Sequence, residues 1–359
     1  MIHIGIIGGG NISDTHARAA REIDGVEIAA IHGRNREKTA RLAKVHGGTV
    51  YEELPAFLAH KPMQIVLIGS PSGLHAEQGV AAARCGLHVL TEKPIDITTE
   101  RADALIAECD RARVKLGIFF QDRVAPGIRK LKELFDAGKL GKPILVSGRV
   151  KWYRPPQYYS GARWRGTLAL DGGGALMNQG VHTVDLLLWL MGDVRRVTAR
   201  AVTALHDIEV EDTVVATLEF ANGAIGTLEA ATSVYPGYRR RVELTGSEGT
   251  IILEQDRIIA ADLRPVAQTS VCDSSETASE APIADIVEPM KGNAAATSPI
   301  VSDVSGHKRI IEDFLRAIET DTRPICDGRE GRRSVEVVQA IYESSRKGRP
   351  VTITGANGV

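Results

Sequence analysis

Short apolar runs and helix-like stretches alternate along the first 120 residues of the chain. Ile2–Ile7, Val26–Ile31, Ile65–Gly69, His88–Leu90 and Val114–Phe119 are rich in Ile and Val or bounded by Gly, Ser or Pro, and read as strands. Thr15–Glu22, Arg36–His46, Gly73–Cys85 and Thr99–Ala112 carry helical periodicity. Strand and helix in alternation predict an α/β fold: a doubly wound parallel sheet with helices on both faces, over about residues 1–122. Continuous apolar strands fit buried parallel strands better than alternating ones would.

After about residue 120 the pattern changes. Ile128–Ala137 reads as a helix stopped by Gly138-Lys139-Leu140-Gly141, and Ile144–Lys151 as a strand. Asn178–Met191 is a strong helix. Val197–Leu205, Asp212–Phe220, Ala224–Ser233, Arg240–Thr245 and Thr250–Leu253 follow as consecutive strands, with Asn222-Gly223 a hairpin signal. Adjacent strands without intervening helices predict a second, α+β domain over 123–359 with a large, open, mainly antiparallel sheet. Residues 265–300, rich in Ser, Thr, Ala and Pro, read as a long surface excursion. Helices Lys308–Glu319 and Arg332–Lys347 close the chain and are expected to pack back on the first domain.

Composition narrows the function. The hydrophobic classes make up 43% of 359 residues, enough for sizeable cores. Lys plus Arg is 44 and Asp plus Glu 45, a formal charge of −1, which argues against general nucleic-acid binding. No apolar stretch reaches the roughly 18–20 residues a membrane span needs. The start, Met1-Ile2-His3-Ile4-Gly5, has no basic region leading into an apolar one, so no secretory signal is expected. Cys85, Cys109, Cys272 and Cys326 match no zinc or redox spacing and read as reduced thiols of a cytoplasmic protein, with no metal expected.

The first strand runs into Gly8-Gly9-Gly10-Asn11-Ile12-Ser13, a G-x-G-x-x-S between strand and helix. Gly8 permits the tight turn, Gly10 lets backbone approach a pyrophosphate, and Ser13 is small enough for close helix–strand packing. That context predicts a dinucleotide site. The second strand ends at Gly33-Arg34 without the acid that commonly binds ribose hydroxyls. Arg34 therefore reads toward a 2′-phosphate, favouring NADP over NAD; the alternative is a solvated loop arginine. Ser70, Pro71, Glu92, Lys93 and Gln121 fall at other strand ends, where ligands of doubly wound sheets bind. His75 joins this group or only caps its helix; His88 reads as a core residue.

Asp171-Gly172-Gly173-Gly174 leads into the strong helix. At about 100° per residue Val181, Val184, Leu187, Leu188 and Met191 share one arc, and Asn178, His182 and Asp185 the opposite one. That stripe either lines a cleft or faces solvent. An imidazole there, with an ordinary pKa of about 6.5, suits proton transfer. Aromatics are scarce, at 3 Trp, 7 Tyr and 6 Phe, yet Trp152, Tyr153, Tyr158, Tyr159 and Trp164 crowd one stretch with Arg154, Arg163 and Arg165 among them. Aromatic faces stack on sugar rings and arginines bind carboxylate or phosphate; the alternative is an ordinary packed loop.

Together these motifs resemble the Gfo/Idh/MocA oxidoreductase family: the glycine loop, Glu92-Lys93-Pro94, and the block from Gly172 to Asp185. The resemblance implies a Rossmann domain and a C-terminal α/β domain whose open sheet face mediates oligomerisation, so a homodimer or homotetramer is expected. It implies NAD(P)-dependent hydride transfer at a hydroxyl carbon of a sugar, inositol or related polyol. The lysine matching Lys93 contacts the reacting hydroxyl, the histidine matching His182 is the acid/base, and the proline matching Pro94 is often cis. Asn178 departs from the family's usual Asp: it orients a hydroxyl but exchanges no proton, which shifts that task to His182 with Lys93 assisting. Asn178 and Gln179 are expected to position the ring, with Tyr153, Arg163, Trp164, Arg165 and Asp185 around it. The block also resembles the branch that oxidises UDP-N-acetylglucosaminuronate, and the arginine-rich loop suits such an anion. Two other readings stay open: a dinucleotide-sensing regulator without catalysis, and a glycosidase that uses bound NAD transiently.

Overall fold

The computed structural model describes residues 1–265 and 303–353. The predicted excursion at 265–300 lies almost wholly outside these described residues, as does Cys272.

The N-terminal part alternates as the pattern predicts: β1 (Ile2–Ile7), α1 (Asn11–Arg21), β2 (Val26–His32), α2 (Arg36–His46), β3 (Thr49–Tyr51), α3 (Leu54–Leu58), β4 (Ile65–Ile68), α4 (His75–Arg84), β5 (His88–Thr91), α5 (Thr99–Ala112) and β6 (Leu116–Ile118). All neighbouring strands pair in parallel, in the order β3-β2-β1-β4-β5-β6. Ile4, Ile6, Ile65, Val66, Leu67 and Ile68 are each at most 2% exposed. Burying each such side chain contributes roughly 1.5–3 kcal/mol, which is why these runs become central strands. Strand β3 and helix α3 were not predicted; at three and five residues they carry too little periodicity to read. Strand order reverses between β1 and β4, and that switch point opens above the glycine loop.

The second part begins with α6 (Pro126–Asp136), β7 (Pro143–Lys151), α7 (Pro156–Ser160), α8 (Val181–Met191) and β8 (Val194–Val202). Strands β9 (Thr213–Phe220), β10 (Ile225–Ala231), β11 (Arg241–Gly246), β12 (Gly249–Glu254) and β13 (Arg257–Leu263) follow, and β14 (Val351–Thr352) completes an eight-stranded sheet ordered β13-β12-β11-β7-β10-β9-β8-β14. Its pairs are antiparallel except β7 with β10, so the sheet is mixed. The Asn222-Gly223 turn forms, with Gly223 at φ +88° and Asn222 Oδ1 accepting from the Ala224 N–H.

Two departures matter for the site. The predicted helix Asn178–Met191 opens instead with a π-helical turn, Ala175–Gly180, ahead of α8. Helix α8 is also buried nearly all round, leaving only His182 and Trp189 partly exposed, because it lies between β7 and the closing helix Gly328–Lys347. The other closing helix, Ser305–Glu319, packs Ile310, Ile311 and Phe314 into a core shared with β1, α1 and β4.

Candidate active site

Beyond β1 the chain turns at Gly8, whose φ of +129° favours glycine. A Cβ there would also stand 2.7 Å from the Gly69 carbonyl oxygen. Gly10 is the N-cap of α1 and no side chain caps the helix, so first-turn N–H groups stay available to an anion. A Cβ on Gly10 would meet no heavy atom within 4 Å, and the fully buried Ser13 Oγ has no hydrogen-bond partner among the described residues. These features fit a dinucleotide pyrophosphate beside Gly8, Gly10, Asn11, Ile12 and Ser13. At the neighbouring strand ends Gly33 packs near Thr39, Arg34 is exposed, and Ser70 Oγ donates to Gln78 Oε1 at 2.6 Å next to Pro71. Gln121 buries its Oε1 without a partner among the described residues. His75, offered as a cofactor contact, is spent on backbone: its ring nitrogens face the carbonyls of Pro94 at 2.8 Å and Ser70 at 2.9 Å. It ties two ligand-side loops together.

Glu92 precedes Lys93 at the end of β5. Its buried carboxylate accepts from His16 Nε2 at 2.9 Å and faces His307 Nε2 at 3.5 Å. Burial disfavours the ionised form, but His16 and His307 hold this carboxyl well below its ordinary value. Among the described residues this is the one group whose atoms converge as metal ligands do. Its contacts are those of a hydrogen-bonded triad, which joins α1, the Lys93 loop and the helix Ser305–Glu319. The Lys93–Pro94 peptide is cis. Lys93 Nζ reaches across to the second part and donates to the Asn178 carbonyl at 2.8 Å. Burial lowers the lysine below 10.5 against the opposing charges of Glu92, Asp171 and Asp122.

The π-helical turn is held from beneath by Glu211, which accepts from the N–H groups of Gly174 and Leu176, each at 2.8 Å, and from the Tyr342 hydroxyl. Burial pushes Glu211 up to about 7. Asp171 accepts from Asn178 Nδ2 and from the Gly166 N–H, both at 2.9 Å. Burial raises it to about 6. Gln179 donates to the Tyr158 hydroxyl at 3.1 Å, and the Arg165 guanidinium lies 4.3 Å above the Tyr158 ring. Arg154, 3% exposed, lies against Trp152 and Tyr158. Trp164 is half-buried near Arg165, Arg163 is exposed, and Tyr153 packs edge-on against Tyr235.

His182, on the first turn of α8, places Nδ1 3.5 Å from Asp122 Oδ2. Burial drives its imidazole down to about 3, opposed by Asp122 and reinforced by Lys93 and Arg240. Arg240 pairs with Asp122. Burial alone would raise Asp122, but Arg240, His182 and Lys93 hold it below its ordinary value. Asp185 corrects the predicted stripe. It does not share the space of Asn178 and His182; its carboxylate, 0% exposed, is gripped by Arg123 at 2.6 and 2.8 Å. Periodicity placed it on their side, but Arg123 covers the helix one turn further on.

Sequence reasoning missed Asp122, Glu211 and Arg240. Asp171, Arg154 and Tyr158 stood within quoted motifs but were not named as site residues. The only local hint was the position of Asp122 just beyond a strand end.

The arrangement joins a phosphate-binding loop, a lysine and a neutral histidine at the meeting of two sheets, which suits hydride chemistry at a hydroxyl carbon. Comparison with known proteins bears on this. Residues 2–120 match the family described as "Oxidoreductase family, NAD-binding Rossmann fold", and residues 128–252 match the "GFO/IDH/MocA C-terminal domain". The rhizopine catabolism protein MocA of Rhizobium meliloti is 30% identical over 68% of this chain and 76% of its own length. The D-apiose dehydrogenase of Paraburkholderia graminis is 26% identical over 97% and 88%. The crystal structure of the WlbA dehydrogenase from Bordetella pertussis, in complex with NADH and UDP-GlcNAcA, superposes with a TM-score of 0.86 at 31% identity, covering 98% of this chain and 97% of that one. With its glycine loop, its Lys93–Asn178 contact and both family domains matched, the chain belongs to the Gfo/Idh/MocA oxidoreductase family, with an NAD-binding Rossmann fold.

Proposed function

We propose that this protein is an NAD(P)-dependent dehydrogenase of a carbohydrate hydroxyl, and that its substrate is an anionic sugar of the sugar-nucleotide uronate class. The observation that carries the reading is the 2.8 Å bond from Lys93 Nζ to the Asn178 carbonyl. It anchors the lysine at the turn that leads directly into His182. Bound beside Gly8–Ser13, the dinucleotide supplies hydride acceptance or donation at its nicotinamide. The chain's residues do the rest. His182, neutral across the ordinary pH range, takes the hydroxyl proton. The Lys93 ammonium polarises that oxygen. Asn178, its amide nitrogen committed to Asp171, keeps its carbonyl oxygen to accept from a second hydroxyl.

Arg154, Arg163 and Arg165, with Trp152, Tyr153, Tyr158 and Trp164, support the anionic substrate: guanidinium groups for carboxylate or phosphate, ring faces for the sugar. The UDP-GlcNAcA bound in the Bordetella relative supports the same class. The exposed Arg34 supports acceptance of NADP alongside NAD. The exposed Leu145, Val215 and Ile225 on the open sheet face support a homo-oligomer. An absorbance assay at 340 nm tests the reading, with NAD and NADP each offered against inositols, neutral sugars, uronates and UDP-N-acetylglucosaminuronate. The expected result is turnover confined to the uronates. Turnover of neutral sugars or inositols alone would refute the substrate class. Silence across the panel with NADH still bound would refute the dehydrogenase reading and favour a sensor.

A further inference from the structure

His182 and Asp122 come from different halves of the fold. His182 stands on the first turn of α8, and Asp122 on the 3₁₀ turn Gln121–Val124 beyond β6. The His182 Nδ1 is buried and has no hydrogen-bond partner among the described residues. Asp122 Oδ2 lies 3.5 Å from it. The carboxylate is not free to turn away: Arg240 pairs with it and is itself fixed by donating to the Gln255 carbonyl at 3.0 Å. On another side the Phe120 ring stands perpendicular to the imidazole at 5.7 Å between centroids.

We infer that Asp122 is the positioning residue of His182, accepting the Nδ1 proton so that Nε2 is the nitrogen left to take a proton from substrate. The inference rests on the proposed role of His182 as the base. A neutral imidazole carries one N–H, and its place is decided by what each nitrogen meets. An ionised carboxylate only accepts, so beside Asp122 the proton belongs on Nδ1. A contact of 3.5 Å is long for a hydrogen bond. Catalytic contacts are commonly long without substrate and tighten when it binds. Arg240 offsets the cost of burying the carboxylate and keeps Asp122 ionised, which preserves its acceptor character.

The test is tautomer assignment by ¹H–¹⁵N NMR of the histidine rings in the full-length protein at pH 7, without substrate, with His182→Asn used to identify the His182 signals. Wild type is expected to show the Nδ1–H tautomer. In Asp122→Asn, Arg240 draws the amide oxygen and leaves the NH₂ facing the ring, so the signal moves to the Nε2–H tautomer. On the sugar that wild type oxidises, the same variant is expected to lose about 10²–10⁴ in kcat, the scale of a base held in the wrong tautomer, with KM and NADH binding little changed. Asp122→Glu restores part of the loss. An Nε2–H tautomer in wild type, or one unaltered by Asp122→Asn, would overturn the inference. NADH fluorescence reports folding, and if Asp122→Asn fails it, the wild-type tautomer alone decides. Activity retained in His182→Asn would instead remove the base assignment, and the tautomer result would still stand on its own.

Discussion

Lys93 and Asn178 lie 85 positions apart, and the lysine Nζ donates to the asparagine backbone carbonyl at 2.8 Å. The bond joins the end of a Rossmann strand to the turn that precedes the imidazole. Positioning therefore comes from backbone, which no substitution at 178 removes, while the Asn178 side chain stays free for its contact with Asp171.

Replacing Lys93 by Met keeps an unbranched side chain, one atom shorter, and removes its charge. Turnover should fall by about 10²–10³, the scale expected for loss of one preorganised charge–oxygen contact. NADH binding, followed by fluorescence, should change little. Full activity in Lys93→Met would sink the assignment.

The pH profile should lack a histidine limb near 6.5. Burial holds His182 down at about 3, so the base stays neutral through the acidic range. The alkaline limb belongs to Lys93, lowered from 10.5 by burial; the needed ammonium is lost as pH rises through that lowered value. Measuring kcat/KM from pH 4 to 10 checks both points. Asp171, at about 6, can imprint its own acidic inflection. Glu211, at about 7, can do the same, so an inflection near 6.5 that persists in both Asp171→Asn and Glu211→Gln contradicts the neutral-base assignment.

Stability should carry the mark of Asp171 as well. Its folded value of about 6 lies above its ordinary 3.8, so the folded chain binds that proton more tightly than the unfolded one. The contribution is full below about pH 4 and is lost as pH rises through about 6. Asp171→Asn lacks this titration. Denaturant unfolding at pH 4, 5, 6 and 7 should show the wild type losing up to about 3 kcal/mol relative to the variant across that window. A difference that does not change with pH counts against the burial argument.

Arg123 and Asp185 form a buried pair, 2% and 0% exposed at the side chain, which Glu330 joins at 3.0 Å. Arg123→Ala leaves Asp185 as an uncompensated buried charge and should cost about 3–5 kcal/mol. Removing both charges, in Arg123→Met with Asp185→Leu, should recover most of that loss. Equal unfolding midpoints for wild type and Arg123→Ala would refute the pairing.

If Arg34 meets a 2′-phosphate, Arg34→Ala should raise the KM for NADP at least about tenfold, the worth of one charged hydrogen bond. The KM for NAD should stay put. Parallel changes for both cofactors would place the arginine elsewhere.

Much of the architecture was legible because it is local. Ile-rich runs alternating with helical periods announce a parallel sheet, Gly8–Ser13 announces a phosphate turn, and Asn222-Gly223 announces a hairpin; each depends on residues a few positions apart. The helix ahead of His182 was legible in outline, but its π-helical opening was not. That turn depends on Glu211, supplied from the loop between β8 and β9, accepting the N–H groups of Gly174 and Leu176. Periodicity likewise put Asp185 beside His182, since it reports which residues share a helix face and not what covers that face. Arg123 covers one and Asp122 stands by the other. Local order in the chain thus determined the strands, the cofactor turn and the chemical types in the cleft. Which carboxylate stands beside the imidazole, which is locked in an ion pair and how far burial moves each proton were decided by tertiary packing alone, because desolvation and charge pairing act through space between groups distant along the chain.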